Sequence, residues 1–90
     1  MGRIRRTATL VNTQGLHARP ISRMIEVARR HRAALSVTCG GARADGRSML
    51  QMLTLAAPAG STLELEADGE DAEALVGALE QLIASRFDEE

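Results

Sequence analysis

The chain has no lysine, tryptophan or tyrosine, and only one phenylalanine and one cysteine in 90 residues. A single cysteine cannot form an internal disulfide, so a reducing cytoplasmic setting is expected, with Cys39 read as a small buried residue in an apolar strand-like run. No apolar run approaches the roughly 20 residues that span a bilayer. The opening Met1-Gly2-Arg3-Ile4-Arg5-Arg6 is followed by no signal-peptide core, so a soluble protein without membrane insertion is expected. The scarcity of aromatics removes the stacking platforms that single-stranded nucleic acids use, and a nucleic-acid partner is not expected. The missing lysine means only that every basic residue is arginine.

Charge is abundant but divided. Residues 1–47 carry ten Arg against Glu26 and Asp45, a net +8, while residues 48–90 carry Arg86 against ten acids, a net −9, which together give the overall −1. A basic half of this kind steers an acidic protein partner and speeds encounter. At this length one domain with a single modest core is expected, spanning residues 1–90.

The chemistry concentrates in Gly15-Leu16-His17-Ala18-Arg19-Pro20. His17 stands at the mouth of a predicted helix, where unpaired N–H groups and the positive end of the macrodipole favour an anion. The same dipole disfavours an imidazolium, and a neutral imidazole has a ring nitrogen whose lone pair can act as a nucleophile. Gly15 permits a turn before the histidine. Pro20 suits a first helical turn, where its missing N–H costs nothing, and Arg19 offers a fork of donors for phosphoryl oxygens. The plainer reading, His17 as a cap or surface residue, stands beside this one.

Along the chain, Ile4, Ala8 and Leu10 alternate with Arg3, Arg5, Thr7 and Thr9, predicting a half-buried strand from Arg3 to Val11 in which Arg6 breaks the pattern. Asn12–Gly15 is a turn-rich connector. A helix is expected from Ala18 to His31, with Ile21, Met24, Ile25 and Ala28 as its apolar stripe and His31 complementing its C-terminal dipole. Ala34–Cys39 and Ala42–Ala44 read as strands joined at Gly40-Gly41, and Asp45–Ser48 as a turn. Ser48 then reads as the N-cap of a helix of about two turns over Met49–Leu55. Thr62–Ala67 is a fourth strand, and a last helix is expected over Asp71–Phe87, with acids at its start. The order βαββαβα fits an open-faced α+β sandwich with the helices on one face of a sheet.

These residues resemble the HPr family, the histidine-containing phosphocarriers of the bacterial phosphotransferase system, including its nitrogen-related branch. Gly15–Pro20 is similar to the family's phosphorylation-site signature, and Gly46-Arg47-Ser48-Met49-Leu50 to its regulatory-serine segment. The resemblance implies a four-stranded antiparallel sheet in the order 1-4-2-3 with three helices on one face. It also implies that His17 takes a phosphoryl group on Nδ1 from phospho-enzyme I, itself charged by phosphoenolpyruvate, and passes it to a IIA-type domain. The backbone of Ala18 and Arg19, with the Arg19 side chain, would hold the phosphoryl oxygens.

Ser48 would be the regulatory site where an HPr kinase/phosphorylase exists, and Met49 and Leu50 would dock partners. Ile21, Arg23, Met24 and Leu53 are expected in the same interface. No metal or cofactor is implied, and a carrier that must release its partners quickly is expected to be a monomer with a small interface. Gln51 and Ala56 stand where many members have glycine, and Arg47 where lysine is common, so the sugar or nitrogen branch is left open.

Three other readings compete. An enzyme using His17 as general base lacks a carboxylate near in sequence to orient the ring, a second catalytic group, and the bulk for a deep pocket. A purely regulatory signalling protein or binding module on the same fold would leave His17 incidental. Metal binding is disfavoured by His17 and His31 lying 14 residues apart along one helix.

Overall fold

The computed structural model describes residues 2–88. The elements run β1 (Arg3–Thr9), α1 (Ala18–Arg29), β2 (Ala34–Cys39), β3 (Ala42–Asp45), α2 (Met49–Leu53), β4 (Thr62–Asp68) and α3 (Ala72–Ala84). The sheet has the order β1-β4-β2-β3, and every neighbouring pair is antiparallel. The fold is thus the expected open-faced α+β arrangement. Its core lies between sheet and helices, where Val37, Leu63, Leu65 and Ala67 meet Ile21, Met24, Leu75, Val76 and Leu79. Burying such side chains contributes about 1.5–3 kcal/mol each, so the shared apolar layer fixes the helices on the sheet.

Arg6, the residue that breaks the first strand's alternation, shares the helix-facing parity of β1 with Ile4 and Ala8. It is tolerated there because α3 supplies two acids, Glu73 at 3.0 Å and Glu80 at 3.3 Å. The hydrogen bond to Glu73 and the charge of Glu80 raise its pKa above the ordinary arginine value.

Several elements end sooner than the sequence pattern suggests, each for a local reason. β1 stops at Thr9 because Leu10 turns its backbone to the loop before β4, donating to Ser61 and accepting from Gly60. α1 stops at Arg29 because Arg30 and His31 tighten to carbonyls three residues back. α2 stops at Leu53, where the Thr54 hydroxyl and amide both turn to the Gln51 carbonyl. The next residues continue that tight turn to Ala56, which takes the left-handed conformation at φ 47°. α3 stops at Ala84, with the Ser85 hydroxyl donating to the Leu82 carbonyl, and a left-handed turn over Arg86, Phe87 and Asp88 then seats Phe87 in the core. The expected α3 N-terminus also shifts by one residue. Asp71 stands at its N-cap, its carbonyl accepting from Leu75, but its carboxylate does not cap the helix and instead accepts from the backbone N–H groups of Arg32 and Ala33, at 2.9 and 2.8 Å.

Candidate active site

The loop before α1 is held from two sides. Asn12 is buried and donates from Nδ2 to the Gly15 carbonyl at 2.7 Å, and the Leu16 N–H donates to the Ala57 carbonyl at 2.8 Å. Gly15 turns through φ 69°, and a Cβ there would lie 2.6–2.7 Å from backbone atoms of Ala57, Pro58 and Ala59. Only glycine meets both demands at this position. The loop therefore delivers His17 to one place.

His17 is the N-cap of α1, with extended backbone (φ −132°, ψ −171°) and a carbonyl that accepts from Ile21 at 3.0 Å. No side chain among the described residues caps this end of the helix. The amides of Ala18 and Arg19 have no acceptor among the described residues, and Pro20 has no amide hydrogen to offer. The His17 ring is half-buried, and its Nε2 is shut off from solvent.

His17, Arg19, Arg23 and Met49 line one open groove with Gln14 and Ser22. The Arg19 guanidinium is exposed and has no ion-pair partner among the described residues. Arg23, one turn on, is already engaged by the chain end, donating to Asp88 at 3.0 Å and to the Phe87 carbonyl at 3.3 Å.

Ser48 caps α2 as expected, its hydroxyl accepting from the Gln51 N–H at 3.1 Å. Leu50, 75 % exposed, presents an apolar surface with Met49 and Leu53, while Met52 anchors the helix in the core. Two interface expectations are corrected. Ile21 and Met24 are each 0 % exposed, because the α1 stripe they share with Ile25 and Ala28 lies in the hydrophobic core and offers no surface to a partner.

Asn12 was legible only as part of a turn. Its side chain satisfying a turn carbonyl is a known habit of asparagine, and that was the available signal. His31 lies at the far end of α1, its Nδ1 donating to the Val27 carbonyl at 2.8 Å. Among the described residues no three His, Cys, Asp or Glu side chains cluster to hold a metal, and no helix is long and apolar enough to cross a membrane.

A family model for the PTS HPr component phosphorylation site matches residues 4–85. The chain belongs to the HPr family. It is 36 % identical over 86 residues to phosphocarrier protein HPr of Cupriavidus necator, with 96 % of this chain and 97 % of that one covered. It is 33 % identical to phosphocarrier protein NPr of Shewanella violacea, covering 99 % and 98 % of the two chains. The crystal structure of HPr from Thermoanaerobacter tengcongensis superposes with a TM-score of 0.89 at 30 % identity, covering 100 % of this chain and 99 % of that one. The chain is accordingly an HPr-type phosphocarrier of the phosphotransferase system.

Proposed function

We propose that His17 is the phosphoryl carrier, accepting from phospho-enzyme I and donating to a IIA-type domain. The observation that carries this reading is a histidine at the N-cap position of α1, an end that no side chain among the described residues caps, beside an exposed Arg19 that has no ion-pair partner among them. The closure of Nε2 to solvent favours Nδ1 as the reacting nitrogen, the one the family resemblance implies. Its lone pair attacks phosphorus as the bond to the donor breaks, and the Ala18 and Arg19 amides and the Arg19 fork take up the charge on the oxygens. Return transfer to the acceptor reverses the same step, so the carrier needs no cofactor.

Met49, Leu50 and Leu53 form the apolar centre of the docking surface, and Arg19 and Arg23 steer acidic partners toward it. Ser48 is the regulatory site in a cell that has the cognate kinase/phosphorylase. A phosphate there would stay compatible with capping, but it would set a dianion beside the apolar platform that partners must desolvate.

Incubation with enzyme I and phosphoenolpyruvate, followed by intact mass measurement, tests the reading. One phosphoryl group is expected, lost on mild acid treatment as a phosphoramidate is. Phosphorylation of a His17→Ala variant under the same conditions would contradict the assignment.

A further inference from the structure

Arg47 follows Gly46 and immediately precedes the cap of α2, yet its side chain leaves that helix and crosses to α1. Its Nη2 donates to the carbonyls of Ala28, at 2.9 Å, and of His31, at 2.5 Å. These carbonyls close the C-terminal end of α1, where orphan acceptors and the negative end of the dipole favour a cation. On its other side the segment is pinned to β2: the Gly46 N–H donates to the Leu35 carbonyl at 2.8 Å, and a Cβ on Gly46 would collide with the Leu35 side chain.

α2 itself is only five residues long and has one buried residue, Met52. Its exposed Met49, Leu50 and Leu53 gain no orientation from burial. Where they stand relative to His17 depends on how the N-terminal end of α2 is tied down. Met49 lines both the His17 groove and a smaller adjoining one with Arg29 and Arg47, so a shift of this end of α2 would displace the docking surface from the reacting histidine.

We propose that Arg47 is a positioning residue, a strut from the closed end of α1 that holds the docking platform in register with His17. This rests on the phosphocarrier reading above. Arg47 acts on how often the platform is correctly placed and leaves the chemistry at His17 unchanged. Apparent affinity falls by the fraction of molecules that are competent, so its loss should raise KM and spare the maximal rate.

The test compares wild type, Arg47→Met and Arg47→Lys in phosphoryl transfer from enzyme I, with hydrogen exchange on the free proteins. Hydrogen bonds from a charged donor are worth roughly ten-fold in an equilibrium. Arg47→Met, which keeps the aliphatic stem, should therefore raise KM by up to about ten-fold at unchanged maximal rate, and should lower amide protection at Gln51 and Met52 about ten-fold. Arg47→Lys, a point donor without the fork, should fall between the two in both measurements.

Unchanged KM and α2 protection in both variants would overturn the proposal, as would a loss of maximal rate alone. Arg47→Lys matching wild type, with the Arg47→Met defect abolished by salt, would show a direct charge contact with the partner instead. If Arg47→Met does not fold, Arg47→Lys still decides between these outcomes. If wild type takes no phosphoryl group, it is the phosphocarrier reading that fails, and the exchange data judge the strut separately.

Discussion

The two ends of α1 are built on opposite plans. At its C-terminus the Arg30 and His31 amides fold back on Val27 and Ala28, the His31 ring donates to Val27, and Arg47 donates to Ala28 and His31. Just beyond, Asp71 accepts the next two amides, those of Arg32 and Ala33. At its N-terminus no side chain among the described residues caps the helix, and the amides of Ala18 and Arg19 beside His17 have no acceptor there. Polar groups left over by a helix are normally satisfied close by. Here the end with no proposed chemistry has its Val27, Ala28 and His31 carbonyls supplied, and the end that must receive a phosphoryl group keeps its donors available, on a loop whose own position is fixed by Gly15 and Asn12.

The comparison is most severely tested at Gly15. Gly15→Ala puts a Cβ into the Ala57–Ala59 backbone at a left-handed φ, so it should cost about 2–5 kcal/mol, read as a lowered urea midpoint. Stability unchanged by that substitution would mean that the loop before His17 is not clamped. Arg19→Ala should act in the other currency. Its exposed side chain supports no packing, so unfolding should move by less than about 0.5 kcal/mol. Transfer from enzyme I should slow roughly ten- to hundred-fold, because a charge-assisted contact made in the transition state is lost. The reverse result, stable transfer and lost stability, would make Arg19 structural.

Ser48→Asp separates a cap from a control point. A carboxylate caps as well as a hydroxyl, so stability should stay within about 1 kcal/mol of the parent. Transfer should nonetheless be slower than for Ser48→Ala; equal rates in two folded variants would leave Ser48 as a cap alone. The smallest effect belongs to the closed end. Backbone hydrogen bonds, that from Arg32 foremost, hold the Asp71 carboxyl below its ordinary value of 3.8. A carboxyl depressed in the folded state contributes stability that is present above 3.8 and lost as pH falls through the lower folded value. Asp71→Asn cannot titrate there. Its acid unfolding profile should be flatter than wild type's below pH 3.8, with phosphoryl transfer at neutral pH unaffected.

Much of this was legible in the residues. Alternation marked the strands, the Ile21, Met24, Ile25 and Ala28 stripe marked α1, and Ser48 before Met49 marked a cap. These signals are local, and local periodicity is what sequence expresses most directly. Assigning Ile21 and Met24 to a partner surface failed because one stripe cannot face both the core and a partner, and the core takes it. Arg6 and Arg47 were opaque for a different reason. Their acceptors lie 74 and 19 residues away, in Glu80 and Ala28, and long-range partners leave no trace in spacing. Ala56 is instructive too: the resemblance marked it as a common glycine position, and the structure gives it a left-handed φ, the conformation that glycine adopts without strain.

The most direct test of the open-end, closed-end account is NMR on ¹⁵N-labelled protein after phosphorylation by enzyme I and phosphoenolpyruvate. The phosphoryl group should couple to Nδ1 of His17, and the largest amide shifts should fall on Ala18 and Arg19, while the amides of Arg30 to Ala33 stay within experimental scatter. Coupling to Nε2, phosphorylation at another residue, or amide shifts concentrated at the Arg47 end of α1 would contradict it.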